Sequence, residues 1–172
     1  MSKKPTIEET AYHEAGHAVA NIALGLHTTR VSIVNEGGDF GRCFSPGSAG
    51  YHFKNQREFR RIGRDQIVAT YAGWEAEVRY SPDANQEWSQ RDFDSVIEHS
   101  RECAVFPRSC KNAGDEAHMK FLRRLQLEAK KLVRDHWAKI EIVAKALLER
   151  NELTGAEVEK LIESVEPDRT TH

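Results

Sequence analysis

The segment His13-Glu14-Ala15-Gly16-His17 has residue types and a spacing that can bind a metal ion and hydrolyse a peptide bond. Two histidines four residues apart lie on one face of a helix, because an α-helix has 3.6 residues per turn. Their imidazoles can share one zinc ion, and Glu14 beside the first histidine can act as general base on a water molecule there. The pattern is short enough to occur by chance, so its surroundings have to support it.

The residues around the motif predict the helix that it needs. Pro5 is followed by a predicted capping box, in which Thr6 is the N-cap and Glu9 lies three residues later. Gly25 is a suitable residue for the C-terminal end of the helix. The predicted apolar face consists of Ala11, Ala15, Ala18, Val19, Ile22, Ala23 and Leu26. Gly16 costs about 1 kcal/mol relative to alanine inside a helix, so we expect another element to pack closely against it. The alternative is a surface helix with two incidental histidines.

Length and composition set limits on the class of protein. A chain of 172 residues suggests one domain with a real core. Its net charge of −2 argues against a nucleic-acid binder that depends on phosphate contacts. Because it has no apolar run of about 18 residues and no apolar signal core, we expect a soluble cytoplasmic protein without a membrane span. Its cysteines, Cys43, Cys103 and Cys110, form no CxxC pair and are expected to be free thiols.

A β-hairpin is predicted after the first helix. Residues 30–34 alternate like a short strand, residues 35–39 have turn chemistry, and residues 40–44 can return as a second strand before Pro46-Gly47. The edge of such a hairpin could bind an extended peptide as an added strand. The alternative is an ordinary hairpin that covers the helices.

The rest of the chain predicts helices. Helical patterns cover residues 56–80, 90–103 and 116–150, and the last one is expected to bend or break near 135–137. A second capping box, Thr154 with Glu157, begins a short helix. We therefore predict a mainly α fold with one small β element.

A catalytic zinc site usually takes three protein ligands, so one more residue is required. Ala20 and Ala23 stand where the HExxHxxGxxH pattern needs glycine and histidine, which excludes the metzincin arrangement. The scattered histidines, His27, His52, His99, His118 and His136, are each expected to be surface or packed residues. The residue types leave the choice open among the carboxylates Asp92, Asp94, Glu75 and Glu77.

Five segments resemble the peptidase domain of FtsH-type ATP-dependent zinc proteases. Thr10 to Val19 resembles the zinc-site helix of that family, and Val31-Ser32-Ile33-Val34 with Gly38-Asp39-Phe40-Gly41 resembles its hairpin. Ala72-Gly73-Trp74-Glu75-Ala76-Glu77 resembles its Gly-Gly-Arg-x-Ala-Glu-Glu helix, and Gln90-Arg91-Asp92-Phe93 resembles its Ser-Asn-Asp-Leu segment. Residues 146–155 resemble its closing Leu-Leu-Glu-x-Glu-x-Leu-x-Gly stretch. Order and spacing hold from about residue 6 to 163.

The resemblance implies a helical zincin-like peptidase domain over residues 1–165. Residues 166–172, at the chain terminus, are expected to be a frayed tail. It implies a Zn²⁺ ion held by His13, His17 and Asp92, with Glu14 as general base. Asp94 remains the alternative third ligand, and Asp92 could instead serve as a simple helix cap. Glu77 is a candidate for orienting a ligand imidazole through its free N–H group, although an ion pair at the surface is the competing interpretation.

The chain also departs from the family pattern. Trp88 stands among the family's small residues before the aspartate, and Trp74 replaces an arginine. The chain has no GxxxxGK[ST] phosphate loop, so we expect an endopeptidase for flexible or unfolded polypeptides without its own ATPase. The resemblance implies a homo-oligomer, by analogy a hexamer, and an ATPase partner acting in trans. The alternatives are a non-catalytic zinc-stabilised interaction module, which the altered loop favours, and a helical assembly domain without metal.

Overall fold

Helix α1 (Ile7–Ala23) carries the motif and has the predicted boundaries. In the computed structural model of the protein, residues 4–34, 41–45, 53–102 and 115–165 are described. The Thr6 side chain accepts from the Glu9 backbone, and the Glu9 carboxylate accepts from the Thr6 backbone at 2.7 Å. The helix ends before Gly25, whose φ of 71° is the left-handed conformation that glycine adopts without strain. The predicted capping box and helix end are therefore confirmed.

The other helices also agree with the prediction. They are α2 (Gln56–Tyr80), α3 (Gln90–Glu102), α4 (Glu116–Asp135), α5 (Trp137–Arg150) and α6 (Gly155–Glu163), and a short 3₁₀ helix (Gln86–Ser89) precedes α3. The predicted break near 135–137 is the single residue His136 between α4 and α5. The predicted helix position 103 lies outside the described residues.

A three-stranded antiparallel sheet lies beside the helices. Strands β1 (Arg30–Ser32), β2 (Arg42–Phe44) and β3 (Glu152–Thr154) have the order β2-β1-β3. The predicted hairpin is confirmed, with Val31 opposite Cys43, although its turn at 35–39 and position 40 lie outside the described residues. Strand β3 was not predicted. It has only three residues and forms because Leu153 pairs with Val31 of β1, a contact between distant parts of the chain.

Helix α1 lies at the centre of the core. It packs mainly against α2 and α5, and α2 also contacts α3 and α4. The largest fully buried apolar side chains include Ile67, Leu122, Leu125, Ile140 and Leu147. Burying each such side chain contributes about 1.5–3 kcal/mol. The molecule is therefore mainly α with a small sheet, as predicted.

Gly16 explains how closely α1 and α2 approach each other. A Cβ atom at this position would lie 2.5 Å from the Ala72 carbonyl oxygen and 2.7 Å from Ala76 Cβ. The expectation that an element packs closely against Gly16 is therefore confirmed. This contact brings the motif against the residues of α2 that support it.

Two further expectations concern the membrane and the cysteines. Among the described helices, none is long and apolar enough to cross a membrane. Cys43 is a free thiol in β2. Cys103, Cys110 and the tail at 166–172 lie outside the described residues.

Candidate metal centre

Three side chains from two helices meet at one point. His13 and His17 project from one face of α1, and their Nε2 atoms are 3.0 Å apart. Asp92, in the first turn of α3, places its Oδ2 atom 2.9 Å from His13 Nε2 and 3.6 Å from His17 Nε2. One donor atom from each residue lies within 4.8 Å of the other two. The described part of the chain holds no other such group of three His, Cys, Asp or Glu residues.

Both imidazoles are held by their other ring nitrogen. His13 Nδ1 lies 2.8 Å from Glu77 Oε2, and His17 Nδ1 lies 2.9 Å from the Ala69 carbonyl oxygen. Because both oxygens accept, each Nδ1–H group donates, and the neutral rings carry their lone pairs on Nε2. Supporting hydrogen bonds of this kind fix the tautomer and the ring orientation of metal-binding histidines.

The resulting arrangement fits a cation. Two Nε2 lone pairs and a carboxylate oxygen face one another and repel unless a proton or a metal ion lies between them. Ligands of a tetrahedral zinc site are separated by about 3.3 Å, given Zn–N and Zn–O distances near 2.0–2.1 Å. The observed separations of 2.9, 3.0 and 3.6 Å bracket that value. The donor set is also the nitrogen and oxygen chemistry that zinc accepts.

The pKa shifts of the three residues all favour the charged form of each side chain. Burial lowers the pKa of His13, but its hydrogen bonds to Asp92 and Glu77 raise that pKa well above 6.5 overall. The pKa of His17 is raised as well, since Asp92 outweighs the effect of burial. The two histidines hold the pKa of Asp92 far below its usual range although burial acts in the opposite direction. The site therefore favours a positive charge, which a proton or a metal ion can supply.

Glu14 lies beside this cluster and is 6% exposed. Its Oε2 is the one buried side-chain oxygen or nitrogen without a hydrogen-bond partner among the described residues. Burial raises the pKa of Glu14, and the neighbouring His13, His17 and the Cys43 backbone amide partly oppose that rise. Burying a carboxylate oxygen without a hydrogen-bond partner is costly, because burial removes its hydration. Such a group in a folded protein therefore points to a functional role.

The edge strand β2 packs against Glu14. A Cβ atom at Gly41 would lie 2.8 Å from both Cγ and Oε1 of Glu14, so the backbone approaches the carboxyl group more closely than other residues would allow. The strand has β1 on one side and is outermost in the described sheet. Strand β2, whose edge could bind an extended peptide, therefore lies next to the candidate base.

The other candidate carboxylates lie elsewhere. Asp94 accepts from the Gln90 side chain on the exposed side of α3, and Glu75 accepts from Gln126. Asp92 directs its carboxylate to the histidines, which distinguishes it from a residue that serves only as a cap. Glu77, 4% exposed, contacts His13 and the Ser89 hydroxyl rather than solvent.

The scattered histidines do not join the cluster where they are described. His118 is fully buried and bonds to Ser100, and His99 bonds to Gln66. His27 is exposed and His136 is partly buried between α4 and α5. His52 lies outside the described residues.

One face of α2 supports the site, and sequence reasoning found only part of it. Ala69, Gly73 and Glu77 are four residues apart, so they lie in one row on the helix. The Ala69 carbonyl and the Glu77 carboxylate hold the two histidines, and Gly73 makes room for the His17 ring. Of these three residues only Glu77 was named from the sequence as a supporting residue, and its spacing of four residues from Gly73 was the signal that could have placed Gly73 in the same row.

Two departures from the family pattern have different outcomes. The Trp74 ring lies 6.2 Å from that of Phe93 in an edge-on contact between α2 and α3. The side chain of Trp88 lies outside the described residues.

A comparison of the chain with known protein families and with curated proteins gives no match.

Proposed function

We propose that this protein is a zinc-dependent metalloendopeptidase. His13, His17 and Asp92 would hold the zinc ion, and Glu14 would act as general base. The observation that carries the proposal is the position of the buried Glu14 carboxylate, whose Oε2 has no hydrogen-bond partner, beside three converging donor atoms. A metal site that was only structural would not need such a carboxylate.

The roles of the residues follow from their chemistry. A zinc ion at such a site supplies a Lewis acid, which lowers the pKa of water and polarises a carbonyl group. Glu14 would accept the proton of the attacking water and pass it to the leaving amine. Its raised pKa makes the carboxyl group suited to both transfers. Glu77 and the Ala69 carbonyl would keep the imidazoles oriented.

The edge of β2 would align the substrate. An extended peptide can add to an outermost strand through backbone hydrogen bonds, which do not depend on the substrate's sequence. Since Cys43 of this strand and Gly41 just before it lie against Glu14, a peptide added there would pass close to the candidate base. The proposed substrates are therefore flexible or already unfolded polypeptides.

The resemblance to FtsH-type peptidases adds two proposals about partners. The protein would assemble into a ring, and an ATPase acting in trans would supply folded substrates in unfolded form. The sequence contains no phosphate-binding loop, so its own activity would be limited to chains that need no unfolding.

The test compares cleavage of an unfolded protein such as casein by the wild type and by Glu14→Gln. We expect Glu14→Gln to keep about one zinc per chain and to lose at least about 100-fold in rate, the usual contribution of a general base. The control is Glu8→Gln, an exposed residue on the same helix, which should keep the wild-type rate. Full activity of Glu14→Gln would refute the mechanism. Zinc without turnover by the wild type would favour the interaction module instead.

A further inference from the structure

A cavity of about 340 Å³ adjoins the candidate metal centre. His17 and Asp92 line one part of it, and Glu102 at the end of α3 also lines it. Asp92 and Glu102 are ten residues apart on one helix, which corresponds to about 15 Å along its axis. A group in the part of the cavity that His17 and Asp92 line would therefore lie close to the reacting bond of a bound peptide, and the Glu102 end lies about four extended residues farther away.

Away from the metal centre, the charged side chains that line the cavity are carboxylates. Asp92 belongs to the metal centre, but the exposed Glu98 and Glu102 also line the cavity, and no lysine or arginine occurs among the described residues that line it. His99 also lines the cavity, and burial lowers its pKa although the nearby Glu102 carboxylate acts in the opposite direction. The negative end of the α3 dipole lies at Glu102 and adds to the effect.

The cavity walls are polar in addition to being negatively charged. The Gln66 side chain bonds to His99 within the lining, at 2.7 Å from Nε2. A large apolar side chain would remove these groups from water without replacing their hydrogen bonds, which is unfavourable. An ammonium or guanidinium group would instead donate to them and pair with the carboxylates.

A second observation connects the cavity with a ligand. The buried Glu14 carboxylate accepts from the Cys43 backbone amide of β2 while its Oε2 has no hydrogen-bond partner, and Cys43 lines the cavity. A peptide that lies along β2 beside Glu14 would therefore have a neighbouring side chain at the mouth of the cavity. The aliphatic part of a long side chain could pack on Ala69, and its charged end could reach the carboxylates.

We propose that this cavity is a substrate subsite for a cationic side chain, lysine or arginine, near the cleaved bond. The inference rests on the proposed peptidase function and adds a substrate class to it. Glu98 and Glu102 would determine this specificity, since neither belongs to the metal-binding group.

The first experiment maps the cleavage sites of a mixed peptide library by mass spectrometry. We expect lysine or arginine at one fixed position within two residues of the cleaved bond, and cleavage at least tenfold faster than with leucine there. Replacing Glu98 and Glu102 together by glutamine should remove most of that preference. The matched control replaces Glu159 and Glu163, two exposed residues with the same spacing on α6, and should retain it. Cleavage that ignores the charge of the neighbouring residues would overturn the proposal.

The second experiment measures binding without turnover. Fluorescently labelled peptides that contain lysine or leucine at the selected position are titrated into zinc-loaded Glu14→Gln. We expect the lysine peptide to bind at least tenfold more tightly and to lose this advantage in high salt. Equal affinities would overturn the subsite even if the enzyme is active. If the library is not cleaved at all, the peptidase function fails, while unequal binding would still support the cationic subsite.

Discussion

Replacing Gly73 by alanine should damage the metal site and leave the fold intact. A Cβ atom at this position would lie 2.4 Å from both Cε1 and Nε2 of His17. Ordinary van der Waals contact begins at 3.4 Å, so the imidazole has to move by about 1.0 Å (3.4 − 2.4). Metal–ligand distances tolerate only about 0.2 Å, and the displaced atom is the one that would bind zinc.

Gly73→Ala should have a large effect on zinc affinity and a small effect on the unfolding free energy of the metal-free protein. Perturbing the residues that support a metal ligand costs 10–100-fold in affinity, and a directly displaced ligand should lie at the upper end. We therefore expect zinc affinity to fall about 100-fold, or about 2.8 kcal/mol. Alanine is also favoured over glycine within a helix by about 1 kcal/mol, which offsets the crowding in the metal-free protein. Its unfolding free energy should therefore change by less than about 1 kcal/mol.

The assay is zinc competition against a chromophoric chelator, together with thermal unfolding of the metal-free protein. Gly16→Ala serves as the comparison, because its Cβ would meet the backbone oxygen of Ala72, which cannot move without separating α1 from α2. That variant should lose about 1–3 kcal/mol of stability even without zinc. Wild-type zinc affinity in Gly73→Ala would refute the assignment of His17 Nε2 as a donor atom.

Three more predictions follow from the same cluster. Asp92→Ala should lower zinc affinity more than about 100-fold and Asp94→Ala less than about threefold, as measured by the same competition; a reversed order would favour Asp94 as the ligand. Glu77→Gln should lower zinc affinity about tenfold while the metal-free protein keeps its circular dichroism spectrum, and an unchanged affinity would remove Glu77 from the site. The metal-free protein should become less stable as the pH rises. The reason is that the pKa values of His13 and His17 are raised, so their contribution is complete below about 6.5 and is lost as the pH passes through the raised values. Thermal unfolding from about pH 6 to about pH 9 tests this, and a melting temperature that rises over that interval would contradict it.

Local signals predicted most of the fold. The capping boxes at Thr6 and Thr154 and the helical apolar patterns depend on residues close in the chain, and the helices that they predict agree with those observed. Strand β3 escaped prediction because it has three residues, and only its pairing with β1 makes it a strand. Its two neighbours along the chain are helices, so the surrounding sequence contains no signal of a sheet.

The residues of the candidate site also fall into those that local sequence predicts and those that depend on tertiary structure. His13, Glu14 and His17 are recognisable because their spacing is local to one helix. Asp92 follows from the residues only as one of several carboxylates, since its selection depends on where α3 begins relative to α1. The Ala69 carbonyl could not have been found by residue type, because a backbone group has no signature in the sequence.

The cavity beside the site was not predicted for a related reason. Its carboxylates Asp92, Glu98 and Glu102 belong to one face of α3, and its other walls come from α1, α2 and β2. In the sequence, that face resembles an ordinary solvated surface of a charged helix. Its functional meaning depends on the tertiary contact that places it beside His17.

The most direct measurement of the central claim is the metal content of the protein purified without added zinc. Native mass spectrometry should find about one zinc ion per chain, as a site with three protein ligands requires. The ion should be lost on acidification, because protons compete for His13 and His17. A metal-free protein that fails to take up zinc from a buffered solution near neutral pH would contradict the proposed metal centre.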